Sequence, residues 1–308
     1  MFVYRVSVRL FAVFALLAPL LAADARAQDE PAGLPDLSAF DFLTGHADLF
    51  SGFDASGRSW SAYSTAVLSP LGPLHQDGLR LRLTGSYSAW SYDTKSVYCS
   101  MSSQQRKRET GSNFDELCND IADRALTAQE QAAINKSIKP YGLHTDGEQI
   151  YLSRAHEARR YDVAVMPGLQ TSWRAAIVKA YIGPAVESRS ILPADPRKAI
   201  SGMSWGAKGA VEGWMRLGEA FWISGDGGYF SGTETYSGLL RLGYEPLDWL
   251  TVGPELAVFG DAEDDSTRAG GFLRLTIGKV ETTLSGGVSA EYDGTMAAYG
   301  AAGVYTKF

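Results

Sequence analysis

Histidine and cysteine are the scarce residues of this chain, with 4 and 2 among 308 positions. Imidazole is found only at His46, His75, His144 and His156, with no His-x-Ser pair and no strand–turn–helix nucleophile elbow, so nothing points to a Ser–His–carboxylate hydrolase. No CxxC and no His-rich spacing is present either, which removes the common zinc and redox motifs. We therefore expect no metal, no cofactor and no enzymatic activity. A basic excess is missing too: the formal net charge is −7, leaving no electrostatic footprint for nucleic acid. Beyond the first residues no apolar run is long enough to cross a bilayer as a helix. A membrane-spanning version of this chain must be a closed barrel, because only helices and barrels satisfy every backbone polar group in lipid.

The first feature present is a leader. Arg5 and Arg9 precede an apolar run over 10–23, and Ala25-Arg26-Ala27 supplies a small-x-small cleavage pattern, so residues 1–27 read as a secretory signal peptide. Removing its three arginines and one aspartate leaves 281 residues with a formal charge of −9. Residues 28–41, polar and Pro-bearing, read as a periplasmic tail. Glycine, at 33, and tyrosine plus tryptophan, at 22, suit crowded strands and interfacial aromatic girdles.

From residue 42 onward apolar side chains recur at every second position. Leu273, Leu275 and Ile277 share one face, and Phe272, Arg274 and Thr276 share the other; a strand does this and a helix cannot. The expected strands are 42–53, 60–69, 79–91, 161–171, 175–187, 203–215, 220–230, 236–245, 249–259, 268–278, 280–291 and 296–308. Twelve is an even number, as a single-chain barrel with both termini on one side requires. Every second link is a tight turn (171–174, 216–219, 245–248, 278–279), and those between are longer or more polar. One link breaks this asymmetry: 70–78, PLGPLHQDG, is long for a periplasmic turn. Alternation alone would also suit a soluble sandwich. The leader, the even strand number, the loop asymmetry and the terminal Phe308 select an all-β, transmembrane, antiparallel up-and-down barrel over 42–308.

Residues 92–160 are expected to be an insertion in one extracellular loop, with short helices at 113–124, N-capped by Asn113, and at 128–138. Thr127-Ala-Gln-Glu130 forms a capping box for the second, which Pro140 and Gly142 end. Cys99 and Cys118 both lie here, and in an exported protein such a pair reads as a disulfide. The acidic run Asp261-Ala-Glu-Asp-Asp265 lacks regular Ca²⁺-ligand spacing and reads as a solvated external loop.

If the aliphatic face of each strand meets lipid, the opposite face lines the bore. It carries Asp48, Arg80, Arg82, Lys179, Lys208, Glu212, Asp226, Arg241, Glu255, Arg274 and Glu281, together with Trp90, Trp214, Trp222 and Phe230. Six of these charges are basic and five acidic, so the expectation is a lumen polar network of ion pairs that fill the interior; a polar conduit for a solute is the alternative.

The stretches Ser204-Trp-Gly-Ala-Lys-Gly-Ala-Val-Glu-Gly-Trp214, Val252-Gly-Pro-Glu-Leu-Ala-Val-Phe-Gly-Asp261 and Arg268-Ala-Gly-Gly-Phe-Leu-Arg274, with 47–54 and 78–85 fitting as well, resemble the BcsS family of exported proteins named for an association with cellulose biosynthesis. The cysteine-bearing insertion departs from the family pattern, and Thr306 departs from the aromatic usual there in barrel-assembly signals. The resemblance implies an outer-membrane envelope component of a Gram-negative bacterium that supports cellulose or exopolysaccharide biosynthesis or export. Its implied partners are outer-membrane lipid, the barrel-assembly machinery during insertion, and cellulose or cellulose-secretion components. A small-solute porin and a lipid-modifying hydrolase are the alternatives carried forward.

Overall fold

A computed structural model describes residues 45–110, 114, 117–119, 126–146, 148–195, 198–291 and 295–308. The expected leader (1–27) and tail (28–41) lie outside these residues. Two compact units make up the chain: Met1–Trp90 with Arg159–Ser190 and Arg197–Phe308, and Ser91–Ala158 with Ile191–Pro196.

The first unit is the barrel. Its strands are β1 (Ala47–Ser56), β2 (Ser59–Leu68), β3 (Gly78–Val97), β5 (Ile150–Trp173), β6 (Ala176–Leu192), β7 (Gly202–Arg216), β8 (Phe221–Phe230), β9 (Thr235–Leu247), β10 (Leu250–Gly260), β11 (Asp265–Ile277), β12 (Val280–Ala290) and β13 (Met296–Lys307). A short β4 (Leu143–Thr145) precedes β5. Each long strand pairs with its chain neighbours, β3 pairs with β5, and β1 pairs with β13 from Asp48↔Lys307 to Ser56↔Tyr299. Those two closures turn an open sheet into a twelve-stranded antiparallel barrel. At the end where β1 starts and β13 stops, the links are 69–77, 174–175, 217–220, 248–249 and 278–279. Gly278, at φ +61°, supplies the left-handed residue that one of the two-residue turns requires.

Outward residues are aliphatic and aromatic. Ile182 is 67% exposed and Leu256 55%, and Leu240, Leu242, Val258, Leu273, Leu284 and Val288 are exposed as well. So large an apolar exterior is unsuited to water and suited to lipid. Among the described residues no helix is long and apolar enough to cross a membrane.

The second unit has its own small core: Tyr98, Cys118, Ile138, Leu143 and Ile150 are all buried. The Cys99–Cys118 disulfide is formed, with the two Cα atoms 5.5 Å apart. Helix α2 (Ala128–Ile138) carries the expected capping box, with both the Thr127 and Glu130 side chains engaged, and it gives way to a 3₁₀ turn over Lys139–Tyr141 and left-handed Gly142. Asn135 then clamps β4 by accepting from Thr145 N at 2.7 Å and donating to Thr145 O at 3.0 Å.

One helix was not expected from the sequence: α1, Ser103–Thr110. Of the expected helix 113–124, Leu117–Asn119 are helical, and most of the remainder, Asn113 included, lies outside the described residues. Helix α1 is polar throughout, so it has no apolar stripe to betray it. Good helix formers and the Ser102 hydroxyl, which accepts from Gln105 N at 3.3 Å, hold it instead. β3 and β5 also run further than 79–91 and 161–171, because their alternation continues in polar residues.

The lipid-facing assignment can be measured. Leu256→Arg is expected to lower stability in micelles or vesicles by about 2–4 kcal/mol, as for a cation at the bilayer midplane, while the inward Ser237→Arg costs clearly less. Urea unfolding of both variants checks it; equal losses would contradict the assignment.

Candidate functional site

The barrel's bore gathers its polar chemistry. Directly paired residues on antiparallel strands share a face, so one inward contact orients a whole strand. Inward contacts are recognisable because they skip strands: a side chain that reaches across two intervening strands can do so only through the interior. Arg82 on β3 meets Glu212 on β7. Arg268 on β11 meets Asp54 on β1 at 2.9 Å, and Tyr299 on β13 donates to Glu255 on β10 at 2.9 Å. Trp222 on β8 packs on Phe272 of β11 with centroids 5.7 Å apart.

These chords form three groups. Nearest the chain termini, Glu212 takes Arg82 and Lys179 (3.5 Å), and Arg82 lies over the Tyr181 ring. Glu281 takes Arg274 at 3.6 Å and Lys307 at 3.4 Å, and Arg274 sits 4.8 Å from the centre of the Trp222 ring. Trp222 is only 1% exposed, and it fits because Gly243 lies beneath it: a Cβ there would be 2.2 Å from the indole. Midway, Glu255 accepts from Arg241 Nε, Ser285 and Tyr299, each at 2.9 Å. Lys208 pairs with Asp162 at 2.6 Å, and Ser86 donates to the same carboxylate. Toward the other end Arg189, buried, contacts Glu187 at 3.4 Å and Asp261 at 2.7 Å and stacks on Trp90.

Most of the sequence-derived set is therefore brought together: Arg82, Lys179, Lys208, Glu212, Arg241, Glu255, Arg274 and Glu281 all form ion pairs. Three stand apart. Asp48 is buried at the start of β1, opposite Lys307 in the register. Asp226 lies opposite Glu212 by register and is exposed on the inward face. Arg80 donates to three backbone carbonyls and to the Ser69 hydroxyl. Trp90, Trp222 and Phe230 contact or share a face with these charges as expected, and Trp214 shares the face of Glu212.

Asp54, Asp162, Glu187, Arg189 and Arg268 were missed. Asp54 continues the parity of Asp48, Glu187 and Arg189 that of Lys179, and Arg268 that of Arg274; Asp54 and Arg189 lie just past the expected strand ends, whereas Asp162, Glu187 and Arg268 stand inside expected strands, at or next to an end. The acidic run 261–265 needs correction as well. Asp261, Glu263 and Asp264 are not a freely solvated loop: Arg189 and Lys198 neutralise them, Lys198 binding Asp264 and approaching Glu263 at 3.7 Å. The reason is the β6–β7 link, which carries Lys198 onto the β10–β11 link.

Three of the histidines serve local structure. His46 Nδ1 bonds Ser69 O at 3.0 Å, and His156 is buried between Thr94 and the Pro193 carbonyl. His144 contacts Ser153 Oγ at 3.2 Å but stacks on Tyr151, and no histidine is paired with a carboxylate among the described residues. Gly202-Met-Ser-Trp-Gly206 matches the letters of a nucleophile elbow, yet Ser204 stands within β7 and not on a strand-to-helix turn.

The model of one family, cellulose biosynthesis protein BcsS, matches residues 137–308, more than half of the chain. The chain belongs to that family. Eight of the eleven sequence-derived bore residues lie in the matched segment, whereas Asp48, Arg80, Arg82, both cysteines and the likeness seen over 47–54 and 78–85 fall outside it. No curated protein matches the chain. Among solved structures it is similar to an outer-membrane channel from Pseudomonas putida F1, with 10% identity, 91% of this chain and 100% of that one covered, and a TM-score of 0.45. It is also similar to the transport unit of the autotransporter AIDA-I from Escherichia coli (9%, 89% and 93%, 0.43) and to the translocator domain of NalP from Neisseria meningitidis (9%, 98% and 98%, 0.41).

A double-mutant cycle tests the bracing. Arg82→Met, Glu212→Gln and the pair together are expected to give a coupling of about 0.5–3 kcal/mol in unfolding free energy. Strict additivity would show that the two side chains do not meet.

Proposed function

We propose that this protein is an outer-membrane barrel, exported with a cleaved signal peptide, that supports cellulose or related exopolysaccharide production as a braced envelope component without catalytic activity. The observation that carries the reading is the inverted partition of the barrel: aliphatic side chains ring the outside, and ion pairs span the bore from strand to distant strand. The first property supports a lipid surround. The second supports a rigid scaffold, because a polymer could not pass until several chords had broken. Membership of the cellulose biosynthesis family supports the polysaccharide role. Outer-membrane lipid and the barrel-assembly machinery are the partners that follow from the fold, and cellulose or its secretion components those that follow from the family.

A small-solute channel is the second reading, favoured by the open space that Asp226 and Ser237 border on the inward face. Planar bilayers separate the two: the scaffold reading expects no stable open steps from the wild-type protein, and the channel reading expects them. Deletion of the gene is expected to lower Congo red or calcofluor binding at the cell surface while synthase activity in membranes is retained. Unchanged surface polysaccharide in the deletion strain would remove the cellulose role.

A further inference from the structure

The nine-residue link 69–77 is out of keeping with its surroundings, since the other links at that end of the barrel are two or four residues long. Its backbone does not hang free of the strands. Arg80 lies on the inward face of β3, two positions from Arg82, and is 2% exposed. Its guanidinium donates to Ser69 Oγ and Leu74 O, both at 3.0 Å, to Leu79 O at 2.8 Å and to Gln76 O. Gln170, buried on the inward face of neighbouring β5, donates to the same two link carbonyls, Leu74 O at 2.9 Å and Gln76 O at 3.2 Å. Two inward side chains on adjacent strands thus grip one stretch of backbone. That stretch must lie on the concave side of the sheet, in the mouth of the bore. It is also stapled to the start of β1: Ser69 N donates to His46 O at 2.8 Å and Leu74 N to Gly45 O at 2.9 Å, while Gly45 N donates to the Phe308 carbonyl.

We propose that residues 69–77 form a strap that seals the terminus-bearing mouth of the bore, with Arg80 and Gln170 as its latch. The cross-bore ion pairs do not fill the interior, since Asp226 and Ser237 on the inward face border open space. A separate seal is therefore needed for a barrel that does not leak, and the strap stands where one is required. Its latch is suited to release. The acceptors are carbonyls and a hydroxyl, so letting go exchanges hydrogen bonds for water and strands no buried counter-charge, unlike the rupture of a buried ion pair. The proposal does not depend on the polysaccharide role.

The test uses the full-length protein in planar bilayers, with folding verified by heat-modifiable gel mobility. Arg80→Ala and Gln170→Ala are each expected to show stable open steps where the wild type shows none. Cross-linking a Gln76→Cys, Gln170→Cys pair with a short bismaleimide is expected to abolish the steps that the unlinked pair shows; both native cysteines are held in the disulfide and do not compete. If Arg80→Ala does not fold, Gln170→Ala and the cross-linked pair decide. Folded variants that stay silent, a wild type that conducts steadily with its strap in place, or a cross-link without effect would each overturn the seal. A deletion strain with normal polysaccharide would bear on the proposed role and leave this result standing.

Discussion

A bilayer core offers a peptide group no hydrogen bond, and that single constraint organises this molecule. Each strand must find partners on both sides, so the sheet has to close on itself. Closure is carried by β1 against β13, in unbroken register from Asp48↔Lys307 to Ser56↔Tyr299, and by β3 against β5. The first of these joins the start of the described chain to its end. Neither partner is held until nearly every residue between them is in place, which makes the barrel a cooperative object and not a row of independent hairpins.

Closure inverts the usual distribution of side chains. Once lipid takes the aliphatic face, the charged residues of the same strands are committed to a confined interior, where an unpaired ion is costly. The bore answers with pairs that cross it. Glu255 collects donors from three strands, β9, β12 and β13; Glu212 gathers cations from β3 and β6; Arg268 reaches Asp54 across two intervening strands. Aromatic rings support the cations between these points, Trp222 under Arg274 and Trp90 beside Arg189. Such chords resist ovalisation of the cylinder, which a sheet bonded only along its neighbours does weakly.

The interior was partly legible in the residues. Period-2 alternation separates Leu273 from Arg274 and Leu240 from Arg241 without any structure, and eight of the eleven charges assigned that way meet an opposite charge. Parity reports a face, however, and never a partner. Nothing local says that Arg82 will find Glu212, because that meeting depends on barrel circumference and stagger. Asp54 was lost for a simpler reason: it stands where polar residues blur a strand into a loop. Helix α1 escaped because an all-polar helix has no stripe, and the link 69–77 was visible only as an anomaly of length.

By itself, then, the sequence determined the strand number, the lipid-facing side of each strand, the capping box at Thr127 and the cysteine pair, since all of these rest on spacing within a few residues or on the count of a rare type. Only the tertiary structure decided which charges neutralise which, that Lys198 and Arg189 fold onto the acidic turn at 261–264, and that an overlong link turns into the bore under Arg80. Those outcomes arise from strand stagger and closure, which bring together charges such as Asp54 and Arg268, 214 positions apart, and a one-dimensional pattern carries no measure of that distance.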